Sequence, residues 1–329
     1  MGFVKILHLY NIYILDSPYK STAGKPHLKL YYSMKGYFCF NRIFAGVIVL
    51  LMMATIFFAC SKSATDTAKV DTNKSDNQTI TAAADQAIVS GIYDDLFGIA
   101  LEVGADASLN ETGRKAHRAE LAAKLGSCFS YDVDDVTVDQ WPKTMLIKFG
   151  AGCADNTGRV RAGNIQVTYS GYFYYPGSVI VIKPLTYTVN GVVVTGTKTI
   201  TNMSTANVYK YSSVVTGGTV KLDTVTVSFN SNTIITQTSG TATLGDVTDD
   251  IFSITGSDSL VYPLGIAASI TVNDADALER KLECPWIGKG KALVTVNGVT
   301  ATINYGNGIC DDSATVDLGD KVKSIVLPK

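Results

Sequence analysis

The sequence predicts a mainly β protein. Antiparallel sheets, stacked as a sandwich or drawn out as one long twisted sheet, follow an N-terminal helical segment. Three observations carry this. Thr, Val, Ser, Gly and Tyr are abundant after residue 160, a composition of β-branched and aromatic strand residues between small turn residues. Asn190-Gly191, Asn230-Ser231-Asn232 and Asn297-Gly298 each divide two runs of alternating apolar residues, which reads as three hairpins. Ile88, Ile92, Leu96, Ile99 and Val103 recur on a helical period and make one apolar stripe over 79–103. No comparable stripe falls between the strands, as parallel βαβ units would require. The sandwich is the preferred arrangement, because it would bury the dense apolar runs 179–182 and 192–194.

In chain order, the first informative stretch is RIFAGVIVLLMMATIFFAC, Arg42 to Cys60. Lys35 and Arg42 precede an uncharged run from Ile43 to Phe58, and Ala59 and Cys60 close it. That is the layout of a secretory signal. Phe57-Phe58-Ala59-Cys60 resembles the bacterial lipobox, with Phe57 where Leu is usual, and the resemblance implies lipid (palmitate) on Cys60. The alternatives are a retained helix, which would be short for a bilayer core of roughly 30 Å, and a cleaved, unlipidated secreted form. Residues 34–59 are thus read as a lipoprotein signal peptide. Residues 1–33 are read as a mis-assigned upstream extension, with translation starting at Met34, or as an extended n-region. His8, His27 and Cys39 are discarded under either reading.

Residues 60–78 are polar apart from Val70 and a few alanines and read as a flexible tether. Residues 79–127 read as a helical segment. Gly91 and Gly98 each weaken the first helix by up to about 1 kcal/mol, and mark close packing or a break in it. A shorter second helix is expected over 113–125. It carries His117, the one histidine after Cys60, read as a surface residue. Without other histidines, zinc hydrolase and Ser-His-Asp chemistry are excluded.

From Cys60 on there are 22 basic and 28 acidic residues and no basic run, which excludes nucleic acid as a partner. Export leaves four cysteines to pair, Cys128, Cys153, Cys284 and Cys310. Residues 128–329 read as a β-rich domain with two similar units, 128–165 and 284–321. Each opens on Cys, carries a Trp (Trp141, Trp286), and runs through an aromatic-Gly-x-Gly sequence to a second Cys with an Asp within two residues of it. Duplication of one strand–turn unit explains this and selects the local pairings Cys128–Cys153 and Cys284–Cys310. The phrases IKFGAGCADNTGRVRAGNIQVTYSG, RKLEC and INYGNGICDDSATV resemble a family of Bacteroidota lipoproteins. That resemblance implies a cell-envelope location, with outer-membrane attachment through lipid on Cys60, facing either the periplasm or the cell surface. It brings no activity and no binding residues.

Two sets of side chains stand out as candidate sites. Tyr172, Phe173, Tyr174 and Tyr175 crowd together after Arg159 and Arg161, and are read either as core or as a ligand surface for a glycan or another flat ligand. Asp132, Asp134, Asp135 and Asp139, then Asp249 and Asp250, then Asp311, Asp312, Asp317 and Asp320 are read as solvated turns. Asp132, Asp134, Asp135, Asp311 and Asp312 are weak calcium candidates. The glycine sequences at 150–152 and 306–308 lack the lysine and following helix of a phosphate loop. No other cofactor is expected. The leading expectation is a non-catalytic, lipid-anchored envelope protein that binds or adheres. A carbohydrate-active hydrolase using paired carboxylates and a structural or assembly component of the envelope, with an envelope protein as partner, are the alternatives.

Overall fold

Alternation decides which way each strand faces. In Val225–Ser239 the buried Val227 and Phe229 alternate with the exposed Thr226, Ser228, Asn230 and Asn232, so one face meets protein and the other meets solvent. The computed structural model describes residues 72–108, 121–134, 140–173, 175–242, 249–281, 284 and 286–327. Its elements are α1 (Thr72–Ser108), β1 (Ser130–Val133), β2 (Lys143–Ala154), β3 (Val160–Tyr169), β4 (Val179–Pro184), β5 (Thr188–Val189), β6 (Val192–Asn202), β7 (Lys210–Leu222), β8 (Val225–Ser239), β9 (Ile251–Val261), β10 (Ala267–Val272), β11 (Leu278–Lys281), β12 (Lys289–Val296), β13 (Val299–Asn307), β14 (Ser313–Asp317) and β15 (Val322–Val326). The strands form one antiparallel sheet in the order β1-β2-β3-β4-β6-β7-β8-β9-β10-β12-β13-β14-β15. The short β5 pairs with β3 and β6, and β11 with β9 and β12.

The sheet is therefore the long single one, not the preferred sandwich. Its apolar face is covered by a helix rather than by a second sheet. Contacts taken in order along α1 step across the strands. Asp76 meets Lys321 beyond β14, Gln86 meets Asp258 on β9, Asp94 meets Lys198 on β6, and Asp95 meets Arg161 on β3. Asp106 then accepts a hydrogen bond from Tyr131 on β1. A 37-residue helix is about 55 Å long, and thirteen strands in sequence span about 58 Å at about 4.8 Å each. The helix is as long as the sheet is wide.

Its buried face follows the expected stripe in its second half, where Leu96, Ile99 and Val103 are buried, and departs from it in the first. Ser75, Thr79, Ala82, Gln86, Val89, Tyr93, Leu96, Ala100 and Val103 are buried, while Ile88 and Ile92 sit half-buried at the flank. α1 also starts at Thr72, inside the segment read as tether, and runs unbroken through Gly91 and Gly98. Close approach is needed at Gly104 instead, where a Cβ would lie 2.9 Å from the Tyr169 ring. That ring crosses the helix and donates its hydroxyl to the Ala100 carbonyl at 2.6 Å.

Two of the three expected hairpin turns are present. Asn190-Gly191 and Asn297-Gly298 both have positive φ at each position, as a type I′ turn requires. The third is displaced: β7 returns through Asp223-Thr224, with Asp223 at φ 50. Asn230 and Asn232 lie inside β8 on its solvent face, and Asn230 accepts a hydrogen bond from the Gly217 amide at 3.0 Å. The glycine sequence before Cys153 is likewise no turn but the bulged end of β2. Both local disulfides are formed, Cys128–Cys153 with Cα atoms 5.6 Å apart and Cys284–Cys310 with 5.7 Å. Residues 121–125 are helical. Cys60, the signal peptide and His117 lie outside the described residues.

Candidate functional site

A helix about 10–12 Å across cannot cover strands of 11 to 15 residues, which are about 35–50 Å long. Part of the sheet's apolar face is therefore left beside α1. There the structure has a cavity of about 490 Å³ between the helix and strands β6 to β13. Its apolar wall includes Phe97 on the helix and Phe252, Ile254, Val272, Trp286 and Ile287 on the sheet side. These side chains are only half-buried, unlike the core residues Leu260, Val294 and Ile303, which are fully buried.

The helix wall is thin. Ala87, Ser90, Gly91 and Gly98 line the cavity, and a Cβ added at either glycine would meet nothing within 4 Å. The glycines mark neither close packing nor a break. They leave room.

The charged groups on and beside α1's part of the wall are held by partners. The Lys198 ammonium, 3% exposed, donates to Asp94 at 2.9 Å. Arg159 donates to Asp95 at 2.6 Å. Behind it Arg161, also 3% exposed, makes two hydrogen bonds to Asp95, at 2.7 and 3.0 Å, and one to Asp155 at 2.9 Å. Burial opposes the charge of Arg161, but Asp95 and Asp155 hold its pKa above the usual value. Asp155 itself stays below the usual carboxylate range. Burial works against this, and donors from Thr157, Arg159 and Arg161 outweigh it. Asp258 is in register with Ser231 on β8 and Ile270 on β10. It accepts a hydrogen bond from Gln86 at 2.7 Å. Burial pushes its carboxyl above the usual range, with Ser231 and Gln86 opposing the shift. Its Oδ1 is buried and meets no donor in hydrogen-bond geometry among the described residues. Tyr93 fixes the helix here, donating to the Thr195 carbonyl at 2.7 Å and stacking on Phe229 with centroids 5.3 Å apart.

The aromatic row divides. Phe173 lines the cavity, stacked on Tyr211 at 5.4 Å and edge-on to Phe97 at 5.8 Å. Tyr172 packs edge-on against Trp141 at 4.9 Å and against Tyr175 at 6.1 Å, away from the cavity. Tyr175 is 50% exposed, and Tyr174 lies outside the described residues. Of the two arginines, Arg159 reaches the cavity wall, whereas Arg161 is buried and offers no surface. Trp286, the tryptophan of the second repeated unit, also lines the cavity.

The acidic groups are spent locally. Asp132 pairs with Lys148, Asp134 accepts the Thr144 amide at 2.8 Å, and Asp311 accepts both the amide and the hydroxyl of Ser313, at 2.9 and 2.6 Å. Asp312 is exposed, and its carbonyl accepts the Leu327 amide at 2.6 Å. Asp135 lies outside the described residues. Among the described residues no three His, Cys, Asp or Glu side chains gather as a metal site.

Lys198, Asp258 and Arg280 are the charged sheet residues of the wall that sequence reading passed over. The available signal was phase: each is a charge at an inward position, two residues from Ile200, Leu260 and Leu278 respectively. No family model, no curated protein and no solved structure matches this chain.

Proposed function

We propose that this protein is a non-catalytic binding protein of the bacterial envelope, tethered by lipid on Cys60, and that its ligand occupies the cavity beside α1. The observation that carries the reading is the pair of open positions at Gly91 and Gly98 over a half-buried apolar wall. Leaving such a wall half-exposed forgoes about 25 cal/mol for each Å² not buried, and glycine in a helix interior costs about 1 kcal/mol more than alanine. A concave, largely apolar site with a few polar groups is the usual form of a small-molecule pocket. The lipid anchor rests on the lipobox resemblance at Phe57–Cys60, and the envelope location on the resemblance to Bacteroidota lipoproteins.

The hydrolase alternative needs two carboxyls free to face each other across a cleft. The cavity's carboxyls are Asp94, Asp95 and Asp258. The first two are in ion pairs and the third is bonded to Gln86, which favours binding over catalysis. Two measurements test the proposal. Fatty-acid labelling should mark the protein and fail with Cys60→Ala. Native mass spectrometry of the purified chain should show a small molecule bound one to one, and Gly98→Leu should expel it. A chain that carries no ligand and takes up none from an envelope lipid extract would overturn the binding reading.

A further inference from the structure

We propose that the cavity takes a linear amphiphile with an anionic head, a carboxylate or a phosphate, seated on Arg280. This rests on the ligand-binding reading above and names the ligand class. Arg280 lies on β11 opposite Phe252 of β9, and its neighbour Leu278 lies opposite Ile254. Both Arg280 and Leu278 line the cavity, so the guanidinium rises from the apolar wall itself. Lys198 and Arg159, the other cations there, are neutralised by Asp94 and Asp95. The Arg280 side chain has no ion pair or hydrogen bond with a described residue. A guanidinium in apolar surroundings with all its donors open matches a planar or tetrahedral oxyanion.

The rest of the lining fits a chain. Asp258 lies six residues along β9 from Phe252, or about 20 Å. The helix wall from Gln86 to Leu101 is about 22 Å long. The two directions cross, and between them Ile254, Val272 and Ile287 provide an apolar floor, with space above it at Gly91 and Gly98. A second anion finds no open cation at the far end, where Lys198 and Arg159 are already paired with Asp94 and Asp95. The cavity thus has one seat for negative charge and an elongated path for hydrocarbon.

The purified full chain with Trp141→Phe leaves Trp286, on the cavity wall, as its tryptophan. Its quenching by brominated single-chain probes reads occupancy. Four heads on one chain are compared below the micelle concentration: carboxylate, phosphate, hydroxyl and trimethylammonium. The carboxylate or the phosphate should bind about tenfold or more tighter than the neutral and cationic probes, as expected for hydrogen bonds to a charged group. Whichever binds more tightly identifies the source, free fatty acid or phospholipid-derived. Arg280→Gln should erase the difference between heads, and Gly98→Leu should weaken all four probes. Equal binding of all heads, or tightest binding of the cation, would overturn the head assignment and leave the binding site standing. Absence of binding by any probe would overturn both. Binding seen only after Cys60→Ala would mean that the protein's own lipid fills the cavity, and would also overturn the proposal.

Discussion

Replacing Asp95 with alanine would remove the carboxylate that joins α1 to β3. Asp95 takes hydrogen bonds from Arg159 and, twice, from Arg161. The Arg161 side chain is 3% exposed and its second partner, Asp155, is 4% exposed. Breaking a buried pair from one side typically costs about 3–5 kcal/mol, because the remaining charge stays buried. Asp155 still faces Arg161, and Arg159, 26% exposed, can turn to water at little cost. The lower end, about 3 kcal/mol, is therefore expected. For a domain of this size that lowers Tm by about 6–12 °C. Urea unfolding followed by circular dichroism measures the loss. The companion variant carries Arg161→Met as well, which removes the stranded guanidinium and should recover part of the stability. A loss below about 1 kcal/mol for Asp95→Ala, or a double variant no more stable than the single one, would refute the network as the tie between helix and sheet.

The two kinds of glycine should respond in opposite directions. Gly98→Ala should stabilise by up to about 1 kcal/mol, since its Cβ meets open space. Gly218→Ala should destabilise, because its Cβ would lie 2.4 Å from the Tyr93 hydroxyl and 2.7 Å from the Phe229 carbonyl oxygen. Chemical denaturation of both variants checks the signs. Removing Cys284–Cys310 by paired serine substitution should cost about 3 kcal/mol for a closed loop of this size, and an unchanged denaturation midpoint would count against it. Stability should also depend on Asp258 through pH. Its folded-state pKa is raised from 3.8 by burial, so the folded state holds the proton more tightly. The stability this contributes is present below pH 3.8 and is lost as pH rises through the folded pKa. Asp85 is raised in the same way, burial again being the main cause. The gap in stability between Asp258→Asn and wild type should therefore widen in the variant's favour as pH rises from about 4 towards neutrality. A gap that stays constant over this range would contradict the assignment.

Much of the fold was legible where local chemistry forces the backbone. Asn-Gly at 190–191 and 297–298 demands positive φ twice in succession, and few arrangements other than a tight hairpin use that. The repeated cysteine spacing carried the disulfide pairing, because two copies of one unit constrain each other. The middle hairpin failed because Asn is both a turn residue and an ordinary outward residue on a wet sheet face. Asn230 and Asn232 alternate with inward Phe229, Ser231 and Thr233, so the same letters fit a continuous strand. Sheet or sandwich could not be decided from periodicity. Alternation reports that a strand has one dry face, whereas what dries it is set by a distant element.

That distant element also explains why the site was harder to read than the fold. The buried face of α1 includes Ser75, Thr79 and Gln86, polar residues that an apolar stripe search rejects. They are buried because the helix is laid across the whole sheet. Once α1 is fixed by Tyr93, Asp94 and Asp95, its width leaves an apolar remainder on the sheet, and the identity of the residues facing that remainder becomes informative. Alanine, serine and two glycines stand where leucines would complete a core, and a lysine, an aspartate and an arginine stand at inward positions of β6, β9 and β11. Each substitution against the local pattern costs stability in a packed core. Their concentration around one space, beside inward residues as fully buried as Leu260 and Ile303, is the physical reason for reading that space as the functional part of the molecule.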